Sequence, residues 1–244
     1  MSSSLPSLRL LFGGLILAGC FSSCATSQIN YIDESRTASL KQPRSVVVLG
    51  LVAKKSNLVF SERERRAILN TFESKLDHKR RKLRVISHGS FEGEAGRARP
   101  VGSGYMDSLS SALSPSQIRM AKNSGASFGV LVALSKNVTW CDLNESCTTH
   151  EEPVYDKDGN EIGCRTWTEY TTSSRAHRSV EADYLLYDLL TGRKVWSCTS
   201  RHTECHSRSS CSEISYPPPP PHPAPPSLAD IMANMANAAI RKWP

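Results

Sequence analysis

Beyond residue 43 the chain switches repeatedly between two hydrophobic periods. Ser45-Val46-Val47-Val48-Leu49-Gly50-Leu51-Val52 is a continuous, mostly β-branched run. It predicts a strand from Arg44 to Val52 buried on both faces. Asn57 to Phe60 reads as a loop. Ser61 and Glu64 then form a capping-box pattern, and Ile68, Leu69, Phe72 and Leu76 recur at helical spacing. Together they predict an amphipathic helix over about 61–78. Leu83 to Ser87 predicts a second short strand. Residues 88–113 are glycine-rich without a period and read as a surface loop. Ser114, Pro115 and Gln117 open another helix, which Gly125 ends. Phe128 to Leu134 gives a further buried strand.

Residues 139–175 have no apolar period and read as a polar insertion, with Asp158-Gly159 marking a hairpin turn. Val180 to Leu190 and Lys194 to Thr203 read as strands joined through Leu190-Thr191-Gly192-Arg193. Residues 216–226 are proline-rich, with Pro217 to Pro221 consecutive, which favours a stiff polyproline II spacer. Ser227 is placed to cap a last helix over 227–243, whose Leu228, Ile231, Met232, Met235 and Ala239 share one face. This order predicts an α/β fold: a small mixed β-sheet packed by helices, in one domain spanning 44–244.

The amino end follows a different rule. Arg9 precedes Leu10 to Ala18, which is apolar apart from Gly13 and Gly14 and too short to span a bilayer as a helix. Leu17-Ala18-Gly19-Cys20 resembles a bacterial lipoprotein lipobox. The resemblance implies that the Cys20 thiolate takes a diacylglycerol, that the signal peptide 1–19 is removed, and that the new amine of Cys20 is acylated. Three acyl chains exceed the two-signal threshold for stable anchoring. Cys24 fits less well, because Phe21 stands where the pattern wants an aliphatic residue. Phe21 after the cysteine, where a retained lipoprotein of enteric bacteria carries Asp, implies the outer membrane. Residues 20–43, rich in Ser, Thr, Gln and Asn, read as a lipidated flexible tether with a maximum reach of about 80 Å.

Export changes the meaning of charge and cysteine. Losing Arg9 lowers the formal net charge of +7 by one. Outside the cytoplasm the available polyanions are lipid headgroups, lipopolysaccharide and peptidoglycan, so no nucleic-acid partner is expected. Lys79-Arg80-Arg81-Lys82 either complements a helix dipole or forms a patch for such anions. The chain has 8 cysteines. In an oxidising compartment they read as disulfides. With Cys20 lipidated and Cys24 left over, the disulfide candidates are Cys141, Cys147, Cys164, Cys198, Cys205 and Cys211. Bridges among them are expected to staple the polar insertion, each contributing about 2–4 kcal/mol.

Metal and catalytic readings are weaker. His202, Cys205, His206 and Cys211, with His150 in reserve, lack the paired CxxC spacing of zinc sites. His177, His202 and His206 with Asp183 and Asp188 match no catalytic motif, and the chain has neither a phosphate loop nor a nucleophile elbow. No catalytic residue, metal or cofactor is expected.

Three stretches resemble one envelope family, which includes the TolB amino-terminal domain, the penicillin-binding-protein activator lipoproteins and the curli-export lipoprotein. They are Val46-Val47-Val48-Leu49-Gly50, the step Ser124-Gly125-Ala126-Ser127-Phe128-Gly129-Val130-Leu131-Val132, and the hairpin Tyr187-Asp188-Leu189-Leu190-Thr191-Gly192-Arg193-Lys194-Val195-Trp196. The last is the most specific, and its chemistry is that of a tight turn. The resemblance implies a non-catalytic lipoprotein of the outer membrane, facing the periplasm. It would act by contact with an envelope protein in assembly or maintenance of the envelope. A homo-oligomeric scaffold or secretion accessory component is the alternative, and a zinc-binding or hydrolytic enzyme is the third reading. Gly50-Leu51 replaces the family's Pro-Phe. Residues 151–162 are dense in Glu and Asp, so a curli-type membrane pore is not expected.

Overall fold

The structure, a computed structural model, describes residues 25–36, 45–55, 57–58, 60–79, 83–89 and 115–244. Cys20, Cys24, the export signal, Arg80-Arg81-Lys82 and most of the glycine-rich loop lie outside these residues, as does the expected helix cap Ser114.

The described strands are β1 (Thr26–Ile32), β2 (Ser45–Ala53), β3 (Arg84–Ile86), β4 (Phe128–Tyr155), β5 (Glu161–Asp188) and β6 (Lys194–Ser212). They form one mixed sheet in the order β1-β6-β5-β4-β2-β3. β2 runs parallel to β3 and β4, and the other pairs are antiparallel. The helices are α1 (Glu62–Lys79), α2 (Pro115–Asn123) and α3 (Leu228–Arg241).

Strand alternation explains the layers. Val46, Val48, Val130, Val132, Tyr184 and Leu186 point to one side, where they pack with α1 and α3. Val47, Leu49, Leu131, Ala133, Leu185 and Tyr187 point to the other, toward Ile118 and Ala121 of α2. A sheet covered on both faces needs strands apolar at every position, which is why β2 and the start of β4 read as unbroken runs. At the start of α1 the capping box forms as expected: the Ser61 N–H donates to Glu64 Oε2 at 2.8 Å, and the Glu64 N–H donates to Ser61 Oγ at 3.1 Å. Ser227 holds the N-cap position of α3, but its side chain makes no capping bond. Burial of Leu228, Ile231, Met232 and Met235 anchors that helix instead.

Three features depart from the sequence expectation. The first is that residues 139–175 are not an insertion. β2 accompanies β4 only to Leu134, and β1 accompanies β6 only over Trp196–Arg201. Beyond those points β4, β5 and β6 continue as a three-stranded ribbon, paired out to Tyr155↔Glu161 and Tyr170↔Ser212. From Lys136 to the tip the ribbon is roughly 65 Å long, and beyond Cys147 and Tyr170 it consists of β4 and β5 alone. Its hairpin turn falls where Asp158-Gly159 placed it: Gly159 has φ +83, and Asp156 Oδ1 accepts from the N–H groups of Asp158 and Asn160, both at 2.8 Å. Glycine takes that left-handed conformation without a Cβ penalty.

The second departure is at the amino end. Residues 26–32, expected within a flexible tether, are strand β1, with most side chains exposed. An edge strand needs only backbone pairing, so an apolar period is not required. Thr26 pairs with Arg201, at the root of the ribbon. The chain between Cys20 and Thr26 therefore spans at most about 20 Å, not about 80 Å.

The third departure is the proline-rich segment, which is not a free spacer. Pro217, Pro220, Pro223 and Pro226 are partly or fully buried, while the residues between them are exposed. That three-residue period is the period of polyproline II. The segment runs back along the ribbon on the α3 side. The Tyr170 and Tyr216 rings meet edge-on at 5.1 Å, Ser210 Oγ donates to the Pro218 carbonyl at 3.2 Å, and His206 Nδ1 donates to the Ala224 carbonyl at 2.9 Å. His222 and Ser174 are also hydrogen-bonded. Thr172, Ser174 and Ala176, on that same face of β5, are buried.

Candidate functional site

The ribbon's other face, on the α2 side, carries the concentration of chemistry in the described residues. No described element packs on it. Its rungs follow from the strand register. Trp140, His177 and Cys205 are cross-strand neighbours. The Trp140 and His177 rings stack at 4.8 Å with 2° between planes, and His177 Nε2 donates to Asp142 Oδ2 at 3.1 Å. Further out, Ser173 and Ser209 share a hydroxyl bond of 2.9 Å. Nearer the tip, His150 stacks on Trp167 at 5.1 Å and donates from Nε2 to Glu169 Oε2 at 3.0 Å, with the Arg165 guanidinium 5.8 Å from the Trp167 ring. Two His–carboxylate pairs, each backed by an indole, thus sit about 34 Å apart on one polar face. Trp140 is 41% exposed and offers an aromatic surface for contact.

Five of the six described cysteines lie along this ribbon, and Cys198 lies in the core part of β6 beside β1. Cys141 and Cys147 lie on β4, Cys164 on β5, and Cys198, Cys205 and Cys211 on β6. All six are free thiols, and none is the cross-strand neighbour of another. β4 and β6 are separated by β5, so their Cα atoms stand about 9–10 Å apart. That exceeds the roughly 7 Å limit for a disulfide. The register therefore does not supply the intrachain stapling that the cysteine count led us to expect. Burial pushes the Cys198 thiol pKa up, with the Ser27 hydrogen bond acting in the opposite sense. Desolvation and a hydrogen bond to Cys147 raise the Tyr216 phenol.

The remaining sequence candidates do not converge. Alternation puts His202 and His206 on the α3 side and Cys205 and Cys211 on the other. His150 is ten positions along β4 from the Trp140 rung. Among the described residues no three His, Cys, Asp or Glu side chains are placed to hold one metal ion. Asp183 is held by Lys54 and Thr199. Asp188 closes the β5–β6 turn, its Oδ1 accepting from Leu190 N–H at 2.7 Å. Neither carboxylate meets His177, His202 or His206. Of the basic run, Lys79 is described, and it shares a groove between α1 and α3 with Lys75, His78 and Arg241. Desolvation, followed by the charges of Arg241 and Lys75, lowers the Lys79 pKa.

The ribbon face was missed at the sequence level, although one signal was present. Trp140, His150, Trp167 and His177 lie symmetrically about the Asp158-Gly159 turn, so one long hairpin would pair them as it does here.

No family model matches the chain, and no curated protein matches it. Solved structures with partial likeness include a PelC dodecamer from Paraburkholderia phytofirmans, 11% identical over 87% of this chain and 93% of that chain, with a TM-score of 0.40. Lipoprotein GNA1162 from Neisseria meningitidis is 11% identical over 71% of this chain and 87% of that chain, with a TM-score of 0.35. The hypothetical protein CT253 from Chlamydia trachomatis is 12% identical over 68% and 72%, with a TM-score of 0.26. All three likenesses are coarse.

Proposed function

We propose that this chain is a lipid-anchored protein of the bacterial outer membrane, facing the periplasm, that works by protein–protein contact in envelope assembly or maintenance. It acts without catalysis, and its ribbon is the contact element. The observation that carries the proposal is the ribbon itself. Three strands run far beyond the helices that build the core, with Trp140, Leu143 and Val138 at 41–54% exposure. A ribbon so poor in buried apolar area adds little to folding, and its aromatic and charged rungs suit recognition. The lipobox at Cys20 and the short link to Thr26 hold the body close to the membrane, with the anchor entering at the ribbon's root.

The test has two arms. Cys20→Ser should move the protein from the membrane to the soluble envelope fraction and abolish palmitate labelling. Photo-crosslinking residues at Trp140, Thr148 and Trp167 should capture an envelope protein, while one at exposed Lys242 should not. Membrane retention of the Cys20→Ser variant would sink the anchor. Equal capture from Lys242 and from the ribbon would sink the contact surface.

A further inference from the structure

The outer edge of β4 has no strand beside it from Lys136 onward among the described residues. Its register with β5 is unbroken between Lys136 and Val154, so the edge is long and regular. An open edge of this kind presents backbone donors and acceptors to another chain. Its cysteines, Cys141 and Cys147, are exposed free thiols six positions apart, hence on the same face.

We propose that β4 pairs antiparallel with β4 of a second copy of this chain, about a twofold axis at Asn144, and that Cys141 of each copy bonds to the partner's Cys147. In this register the two cysteines are directly opposite. A twofold axis normal to the sheet keeps both on the same face. Opposed Cα atoms in an antiparallel pair lie about 4.5–5.5 Å apart, inside the disulfide range of about 4.4–6.8 Å. The same register sets Lys136 opposite the partner's Glu152, and no two acidic side chains face each other. The interface is isologous and closes as a dimer.

Two rival pairings fail on the same geometry. Centring the Cys205 and Cys211 positions of β6 on each other would set two copies of Arg208 face to face. Continuing the sheet in parallel from β6 of one copy to β4 of the next would put Cys205 and Cys211 on the face opposite Cys141 and Cys147, out of reach. The antiparallel continuation turns each successive copy over and builds an open filament rather than a closed dimer.

The bonds form by thiol–disulfide exchange with an oxidising protein disulfide of the envelope. The Cys141 thiolate attacks that disulfide and releases one donor thiolate. The partner's Cys147 thiolate then attacks the Cys141 sulfur of the mixed disulfide and releases the second. The donor leaves as a dithiol carrying both protons and both electrons. The oxidation rests on the envelope location proposed above; the strand pairing does not.

Each bond uses one Cys141 and one Cys147, so Cys141→Ser alone and Cys147→Ser alone should each abolish the covalent dimer on a non-reducing gel. Co-expressing the two variants with distinguishable tags should restore a dimer held by one bond. A covalent dimer surviving in either single variant, or none in the mixture, would overturn the register. If the full chain comes from cells reduced, the purified chain is offered glutathione disulfide. A Cys141–Cys147 cross-linked peptide then upholds the pairing and places the failure with the envelope location. A chain that stays monomeric under that oxidant overturns the pairing itself.

Discussion

Trp196 and Trp243 pack ring against ring, with centroids 5.5 Å apart and planes at 38°. The contact ties the chain's last turn back to the start of β6, where Trp196 is fully buried. A helix delivered by a proline-rich segment thus becomes part of the main core. Trp243→Ala should cost about 3 kcal/mol, near the low end for buried tryptophan. Exposed Lys242→Ala should change stability by less than about 0.5 kcal/mol. Urea unfolding of both variants measures the difference.

Gly129 on β4 lies against Leu49 of β2. A Cβ at Gly129 would stand 2.8 Å from Leu49 Cδ1 and 3.2 Å from Leu189 Cδ2. Gly129→Ala should therefore destabilise by about 1–3 kcal/mol through overpacking. Leu49→Ala opens space at the same point, so the double variant should lose less than the sum of the two single losses. Additive losses would mean that the two sites do not press on each other.

Glu62 and Glu73 respond to acid with opposite signs. The hydrogen bond from Arg65, helped by Arg66, holds Glu62 down to about 2. Its contribution is present above the ordinary carboxylate range, near 4.5, and is lost as pH falls toward 2. Glu62 is 53% exposed, so screening limits the contribution to under about 1 kcal/mol. Glu73 is pushed up by burial, against the His88 N–H that it accepts at 2.6 Å. Its contribution is present below its unfolded pKa and is lost as pH rises through the folded one. Glu62→Gln should flatten the acid limb of a stability–pH curve. Glu73→Gln keeps the acceptor and should be at least as stable as the parent at pH 7 (about neutral).

The proline segment offers a test of its three-residue period. Pro220 and Pro223 face the sheet, whereas Pro218 and Pro221 face solvent. Replacing the first pair with alanine should remove both packing and rigidity, costing more than replacing the second pair by about 1 kcal/mol or more. Equal losses would mean that rigidity alone matters and that the docked face does not.

The sequence made β2, α1, the first part of β4 and α3 legible because each buries an apolar face whose period survives. Val46 to Val52 and Ile68 to Leu76 are such cases. The ribbon was not legible because neither face meets an apolar core. One is covered by prolines and bonded through Ser174 and His206, and the other carries Trp140, Asp142, Asn144 and Ser146 outward. β1 was hidden for a related reason: Thr26 to Ile32 contributes backbone pairing more than buried side chains. The cysteines were conspicuous, but which of them can meet was not legible, since only the register separates Cys141 from Cys205 by a whole strand.

The most direct measurement is the intact mass of the protein extracted from membranes, before and after reduction. The expected species begins at Cys20, carries three acyl chains, and has twice the chain mass until reductant halves it. A protein that retains Met1 without acyl chains would contradict the anchor. A mature species of single-chain mass before reduction, with Cys141 and Cys147 free to alkylate, would contradict the covalent bonding of paired ribbons in the envelope.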